Sequence, residues 1–301
     1  MRPWLRRTLW GGLGLVVLAG AAVATASVLA ERKMQRQLVL QVADVPLRDD
    51  AASVERGRYL FASRGCADCH GANGAGHTLI DDPNGMFVRG PNLTTGAHSA
   101  VQGYRSIDWV RAVRHGVKRD GRPALIMPSE DYNRFTDADL AALVAYVRQL
   151  PPVDSEPGQV RFPLPVRVLY GLGAIQDAYE KIDHALPPQQ PVAEGVTAAH
   201  GAYVANMCMG CHGAGLSGGK IPGGPPDWPA ASNLTSGEGS AMPRYASAEQ
   251  FRHMLATGKR PDGSAVSPVM PFGSLQAMSQ TDADALYLYL KALPPRPAGG
   301  R

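Results

Sequence analysis

The stretches Cys66-Ala67-Asp68-Cys69-His70 and Cys208-Met209-Gly210-Cys211-His212 hold every cysteine of this 301-residue chain. C-x-x-C-H is the attachment signature of a c-type haem. Two thiols separated by two residues reach the two vinyl groups of one porphyrin, and the adjacent histidine comes to lie beneath the iron as its proximal ligand. Two copies imply two haem c groups, held through Cys66 and Cys69 and through Cys208 and Cys211. Other uses of such pairs fit less well. C-x-x-C pairs that share a zinc are separated by about 15–20 residues. Here the second pair starts 142 positions after the first (208 − 66), and histidine follows each directly. A thioredoxin-like site needs a single pair in a βαβ context, which neither copy has.

Haem attachment of this kind requires an exported chain. Arg2, Arg6 and Arg7 precede an uncharged stretch from Thr8 to Ala30, which Glu31 and Arg32 close. As a helix those 23 residues (30 − 8 + 1) would extend about 35 Å, enough for a hydrocarbon core of about 30 Å. Arginines before the span place the N-terminus in the cytoplasm and the rest outside. Residues 1–30 are therefore read as a membrane anchor or signal, with the anchor preferred because the run exceeds the usual signal core of about 7–15 residues. The small-residue sites Ala24-Thr25-Ala26 and Val28-Leu29-Ala30 keep cleavage open, and the mass of the mature chain decides. The implied location is the inner membrane, single-pass, with the bulk of the chain in the periplasm.

The net charge of +4 does not point to nucleic acid. Without the three N-terminal arginines, 27 basic residues stand against 26 acidic ones. Two haems would add up to four propionates, and no basic run or basic amphipathic helix is present.

An internal repeat sets the domain organisation. Tyr59-Leu60-Phe61, the first C-x-x-C-H, Asn92-Leu93-Thr94, Trp109, Gly116, Gly121, Met127-Pro128 and Leu150-Pro151-Pro152 are followed by a second series. That series runs through Ala202-Tyr203, the second C-x-x-C-H, Asn233-Leu234-Thr235, Phe251, Gly258, Gly263, Met270-Pro271 and Leu293-Pro294-Pro295, at an offset of 141 to 143. The expected units are a linker over 31–48, a first domain over 49–153, a Pro-rich connection over 154–193 and a second domain over 194–297. Each domain is expected to be mainly helical. A helix leads into each C-x-x-C-H (Val54 to Ser63; Thr197 to Asn206), another precedes each mid-domain glycine (Ile107 to His115; Ala248 to Thr257), and a last one begins at Thr136 or Thr281 and stops at Pro-Pro. No segment shows strand alternation. The apolar patch Val166 to Leu172 is too short to span a membrane and is expected to pack on the haem domains, a partner-docking surface being the other use.

The sixth iron ligand decides between an open and a closed haem. His70 is followed by Met127 after 57 positions (127 − 70) and His212 by Met270 after 58 (270 − 212), both in Met-Pro. A thioether is a soft ligand that raises the potential of low-spin iron. Met86, Met242, Met254 and Met278 have no counterpart in the other repeat and suit core filling. Met207 and Met209 are too close to the cysteines to reach the opposite haem face. His77, His98, His115, His184, His200 and His253 are expected in surface or loop roles.

With these residues assembled, each unit resembles a class I cytochrome c domain. The resemblance implies a mainly α fold of two tandem domains after one N-terminal transmembrane helix. It also implies that the Pro91 carbonyl of Gly90-Pro91-Asn92-Leu93 binds the second ring nitrogen of His70 and that Leu93, like Leu234, packs on the haem. The second unit has Ser232 in place of that proline, so the two haems are expected to differ in potential. The whole chain is similar to the cytochrome c subunits of periplasmic alcohol and aldehyde dehydrogenases, which commonly carry three haems. The activity implied is electron transfer and no chemistry on a substrate. The donor is a periplasmic dehydrogenase or quinol, and the acceptor another cytochrome or a terminal oxidase. A dihaem subunit of a haem–copper oxidase and a dihaem peroxidase are the alternatives.

Overall fold

The computed structural model describes residues 3–225 and 227–300. Its N-terminal helix, α1 (Pro3–Met34), leaves the large apolar side chains from Leu13 to Leu18 exposed. Among the described residues it is the one helix long and apolar enough to cross a membrane.

The first haem-type unit begins with α2 (Ala51–Ser63), capped by the Asp50 carboxylate accepting from the Ser53 amide. The attachment cysteines and His70 form a one-turn helix, α3 (Cys66–His70). A hairpin of β1 (Thr78–Asp81) and β2 (Phe87–Arg89) follows, then α4 (Ser106–His115), α5 (Ser129–Tyr132) and α6 (Asp137–Arg148). Thr136 caps α6 through the Asp139 amide. In the connection, β3 (Gln159–Arg161) joins β2 antiparallel to complete a three-stranded sheet. This sheet was not expected. Its strands have three or four residues, too few for alternation to register.

Two short helices close the connection, α7 (Leu164–Gly171) and α8 (Ala178–Lys181). The patch expected on the haem domains is α7, and it packs instead on α1, where Gly171 meets the Ala26 carbonyl. The second unit then repeats the first: α9 (Ala198–Val204), α10 (Met209–His212), α11 (Ala248–Thr257), α12 (Phe272–Leu275) and α13 (Gln280–Ala292). The cap of α13 is Ser279, whose hydroxyl accepts from the Asp282 amide, and not Thr281, which lies inside the first turn. The shared Asp-Ala-Asp string is misleading here, because Asp139 and Asp282, not the strings, occupy equivalent positions.

Each unit is held by its first and last helices crossing at a glycine. A Cβ at Gly57 of α2 would lie 1.9 Å from the Ala142 carbonyl oxygen of α6, and one at Gly201 of α9 would lie 2.0 Å from the Ala285 carbonyl oxygen of α13. These glycines are 144 positions apart (201 − 57), so the repeat slips by two residues between this helix and the cysteines. On an exposed helix, Gly→Ala gains about 1 kcal/mol. Gly57→Ala is expected to do the opposite, lowering stability by about 1–3 kcal/mol through the forced separation of α2 and α6. Urea unfolding of the holo-protein measures it; a stabilised variant would rule out the close crossing.

Candidate haem sites and their contact

In the first unit His70, Cys66, Cys69 and Met127 line one cavity of about 940 Å³, at the upper end of the range for small-molecule pockets. Its walls are mostly apolar and include Leu93, Trp109, Leu143 and Val147. Burial and the nearby Cys69 push the Cys66 thiol up to about 12, and burial with Asp131 does the same for Cys208. Among the described residues no cluster of three or more His, Cys, Asp or Glu could hold a metal ion. A large apolar slot with two thiols and an imidazole at one rim and a thioether in its lining suits a covalently attached porphyrin.

The imidazoles are oriented by backbone carbonyls. His70 Nδ1 lies 2.9 Å from the Pro91 oxygen, and His212 Nδ1 lies 2.8 Å from the Ser232 oxygen. A donated Nδ1–H fixes the tautomer and turns Nε2 into the basic nitrogen, as in many metal-bound histidines. Burial holds the His70 imidazole below its usual value against the opposing Pro91 bond, which keeps it neutral. Ser232 makes the same bond as Pro91 despite its freer backbone.

The methionine segments are built alike. The αL glycines Gly116 and Gly258 end α4 and α11, and their carbonyls accept from Ala124 and Val266 at 2.7 and 2.8 Å. The chain then reaches Met127 and Met270, whose carbonyls accept from Ser129 and Phe272. Pro128 and Pro271 adopt nearly the same angles (φ −80°, ψ 63° and φ −79°, ψ 72°). Met127 packs against the first core and Met270 against the second. Met242 and Met254 are buried core residues, in keeping with their expected filling role. The Asn-Leu-Thr repeat also has a cause. Asn92 donates to the Val153 carbonyl and Asn233 to that of Arg296, tying the tail beyond the last helix back to the segments of Leu93, which lines the first cavity, and of Leu234, which packs on the second core.

Two features were not read from the sequence. Pro157, Gly158, Gln159 and Val160 of the connection wall the first cavity, so this segment is part of that site. The second feature is the contact between units, which follows a pseudo-twofold pattern. Tyr59 donates to Asp282 Oδ2 at 2.5 Å and accepts from the Ser279 amide at 3.0 Å. Tyr203 donates to Asp139 Oδ2 at 2.6 Å and accepts from the Thr136 amide at 3.3 Å. Each tyrosine thus caps the last helix of the other unit. Arg56 completes Asp139 at 2.8 and 3.1 Å, while His200 and the buried Arg64 complete Asp282. His200 is therefore a buried interface residue and not a surface one. His115 is buried too, 3.0 Å from His184 between their Nδ1 atoms.

The same symmetry brings the attachment turns to the interface. The Gly210 amide of α10 donates to Asp131 of α5 at 2.7 Å. Burial, with the charge of Glu130, pushes the Asp131 carboxyl up to about 8. Reciprocally, α3 packs on α12, where a Cβ at Gly273 would lie 2.7 Å from Asp68 Oδ1. Each C-x-x-C-H turn therefore abuts the segment just after the methionine of the other unit.

Fold and sites define a protein of two helical domains, each organised around one covalently attached haem. The family comparison agrees: the cytochrome c model matches residues 54–151 and 196–294. The chain belongs to the cytochrome c family and carries two haem c groups, one per domain. It is 28% identical to the fructose dehydrogenase cytochrome subunit of Gluconobacter japonicus, over 94% of this chain and 61% of the relative. It is 28% identical to the cytochrome c subunit of the quinone alcohol dehydrogenase of Gluconobacter oxydans, over 83% of this chain and 56% of the relative. A diheme cytochrome c-type protein of Cereibacter sphaeroides is 30% identical over 56% of this chain and 57% of the relative. The chain thus spans about three-fifths of the length of these relatives.

Proposed function

We propose that this chain is a membrane-anchored electron relay between a periplasmic dehydrogenase and a respiratory acceptor. Its domains, 49–153 and 194–297, would each hold one haem. Cys66 and Cys69, and Cys208 and Cys211, would form the thioethers. His70 with Met127, and His212 with Met270, would be the axial ligands. Pro91 orients one imidazole, and Leu93 and Leu234 pack on the haem faces. Haem supplies one-electron chemistry when bound. The protein's part would be to offer each haem a histidine and a methionine, exclude water and hold the two attachment turns at one interface.

The observation that carries this reading is the reciprocal contact of each C-x-x-C-H turn with the post-methionine segment of the other domain. Such a contact supports a relay by bringing both attachment turns to the interface between the domains. Names of the relatives point to a dehydrogenase as donor. The exposed apolar surface of α1 supports retention in the inner membrane.

Met127→Ala and Met270→Ala test the ligand assignment. Each is expected to remove about half of the weak sulfur-to-iron absorption at the red end of the oxidised spectrum and to let one reduced haem bind carbon monoxide. An unchanged band in both variants would show that the ligands lie elsewhere. Stoichiometric carbon monoxide binding by the unmodified protein at neutral pH would favour a peroxidase-like open site.

A further inference from the structure

The helix α7 in the connection is not needed by either haem site, yet it presents apolar side chains outward. Leu164, Leu169 and Leu172 are 55%, 45% and 65% exposed, whereas Tyr170 on the opposite side is 1% exposed. We propose that α7 lies at the membrane surface beside the anchor, with these three leucines among the lipid acyl chains. The inference rests on the anchored reading of α1 and extends it to a second lipid contact.

Depth is the first argument. α7 seats on Ala26 and Ala30, where a Cβ at Gly171 would lie 2.1 Å from the Ala26 carbonyl oxygen. Ala26 is four residues, about 6 Å, before the end of the apolar run, and that run exceeds the hydrocarbon thickness by only about 5 Å. This level therefore falls at the outer edge of the acyl region. Close backbone approach through Ala and Gly is also how helices associate within lipid.

Continuity is the second. On the same turns of α1, Val23, Val28 and Leu29 remain exposed. They must face acyl chains if α1 spans, and the leucines of α7 extend that surface sideways.

The third is a charged layer immediately above. Arg167 of α7 pairs with Glu31 at 3.7 Å. Lys33 pairs with Glu180 at 2.8 Å and also donates to the Tyr170 and Ile175 carbonyls. Arg36 pairs with Asp177 at 2.8 Å, and Asp177 in turn accepts from the Tyr170 hydroxyl. α7 itself carries one charge, Arg167, away from its leucines. The ion pairs of Lys33 and Arg36 with Glu180 and Asp177 form the headgroup-level layer above it, the setting of an interfacial helix. The same layer locks the top of α1 to the connection.

The test uses the full-length holo-protein in phosphatidylcholine–phosphatidylglycerol vesicles. Leu169→Cys, Leu172→Cys, Val16→Cys and Leu288→Cys are spin-labelled singly, and collision rates with oxygen and with a water-soluble nickel chelate are compared. Oxygen collisions at 169 and 172 should exceed nickel collisions several-fold, as at 16 within α1, with the reverse at 288 on the exposed side of α13. Lipid-like 16 with water-like 169 and 172 would overturn the inference and leave the anchor standing. Such a result would point to a protein partner on this face. A water-like 16 would overturn the anchor itself, and the inference with it.

Discussion

Replacing Cys66 and Cys69 together by alanine is expected to yield a chain with one covalent haem and an unfolded first domain. The size of the slot is the reason. The slot of about 940 Å³ is partly open, so water fills some of it, but wetting its mostly apolar walls removes burial on a scale that matters against the ~5–15 kcal/mol by which whole domains are stable. The first domain therefore cannot keep this shape around an unfilled slot. Without thioethers, a haem there would depend on axial bonds alone and exchange out during unfolding. Mass spectrometry should show the loss of one haem, and limited trypsin digestion should cut within 49–153 before 194–297. Two haems by mass would mean that attachment does not use this pair.

What could be read in advance followed the range of the interactions. The C-x-x-C-H turns and Met-Pro segments are local chemistry, so their spacing survives in the sequence and the duplication confirms it. The Pro91 carbonyl was legible only through resemblance, since a backbone oxygen leaves no residue signature. The connection was misplaced because the apolar patch at 166–172 says only that something covers part of it; Ala26 and Ala30, the residues that receive it, are too small to look like a docking site. The β-sheet was missed because β3 belongs to the connection and pairs across 70 residues (159 − 89) with strands too short to show a period. The slip of the repeat to an offset of 144 in the first helices hid the equivalence of Tyr59 with Tyr203. That in turn hid the interface, whose partners lie as far apart as 223 positions.

The largest effect at that interface is expected from Asp282→Ala. Asp282 has no exposed side-chain surface, and its partners Arg64, Tyr59 and His200 include a guanidinium that is itself 3% exposed. Removing the carboxylate leaves that cation buried without a counter-charge, a loss of about 3–5 kcal/mol. Asp139, the twofold mate, has a partner in Arg56 whose side chain is 27% exposed and can reach water. Asp139→Ala should therefore cost less, a ranking that an argument from symmetry alone would not give. The pH dependence has a definite sign. Burial pushes the Asp282 carboxyl up, but Arg64 and the hydrogen bonds from Tyr59, Arg64 and His200 outweigh it and hold the group down at about 2. A carboxyl lowered on folding contributes stability above its unfolded value of about 4, and the contribution is lost as the pH falls through about 2. Urea midpoints of the wild-type chain should therefore drop between about pH 4 and pH 2, and Asp282→Asn should flatten that drop while lowering the midpoint at pH 7. Because Arg64 lies two residues before Cys66 of the first attachment turn, the same variants should also slow electron equilibration between the two haems in flash-reduction experiments. Unchanged equilibration with a lowered midpoint would confine the pair to stability and remove it from the relay.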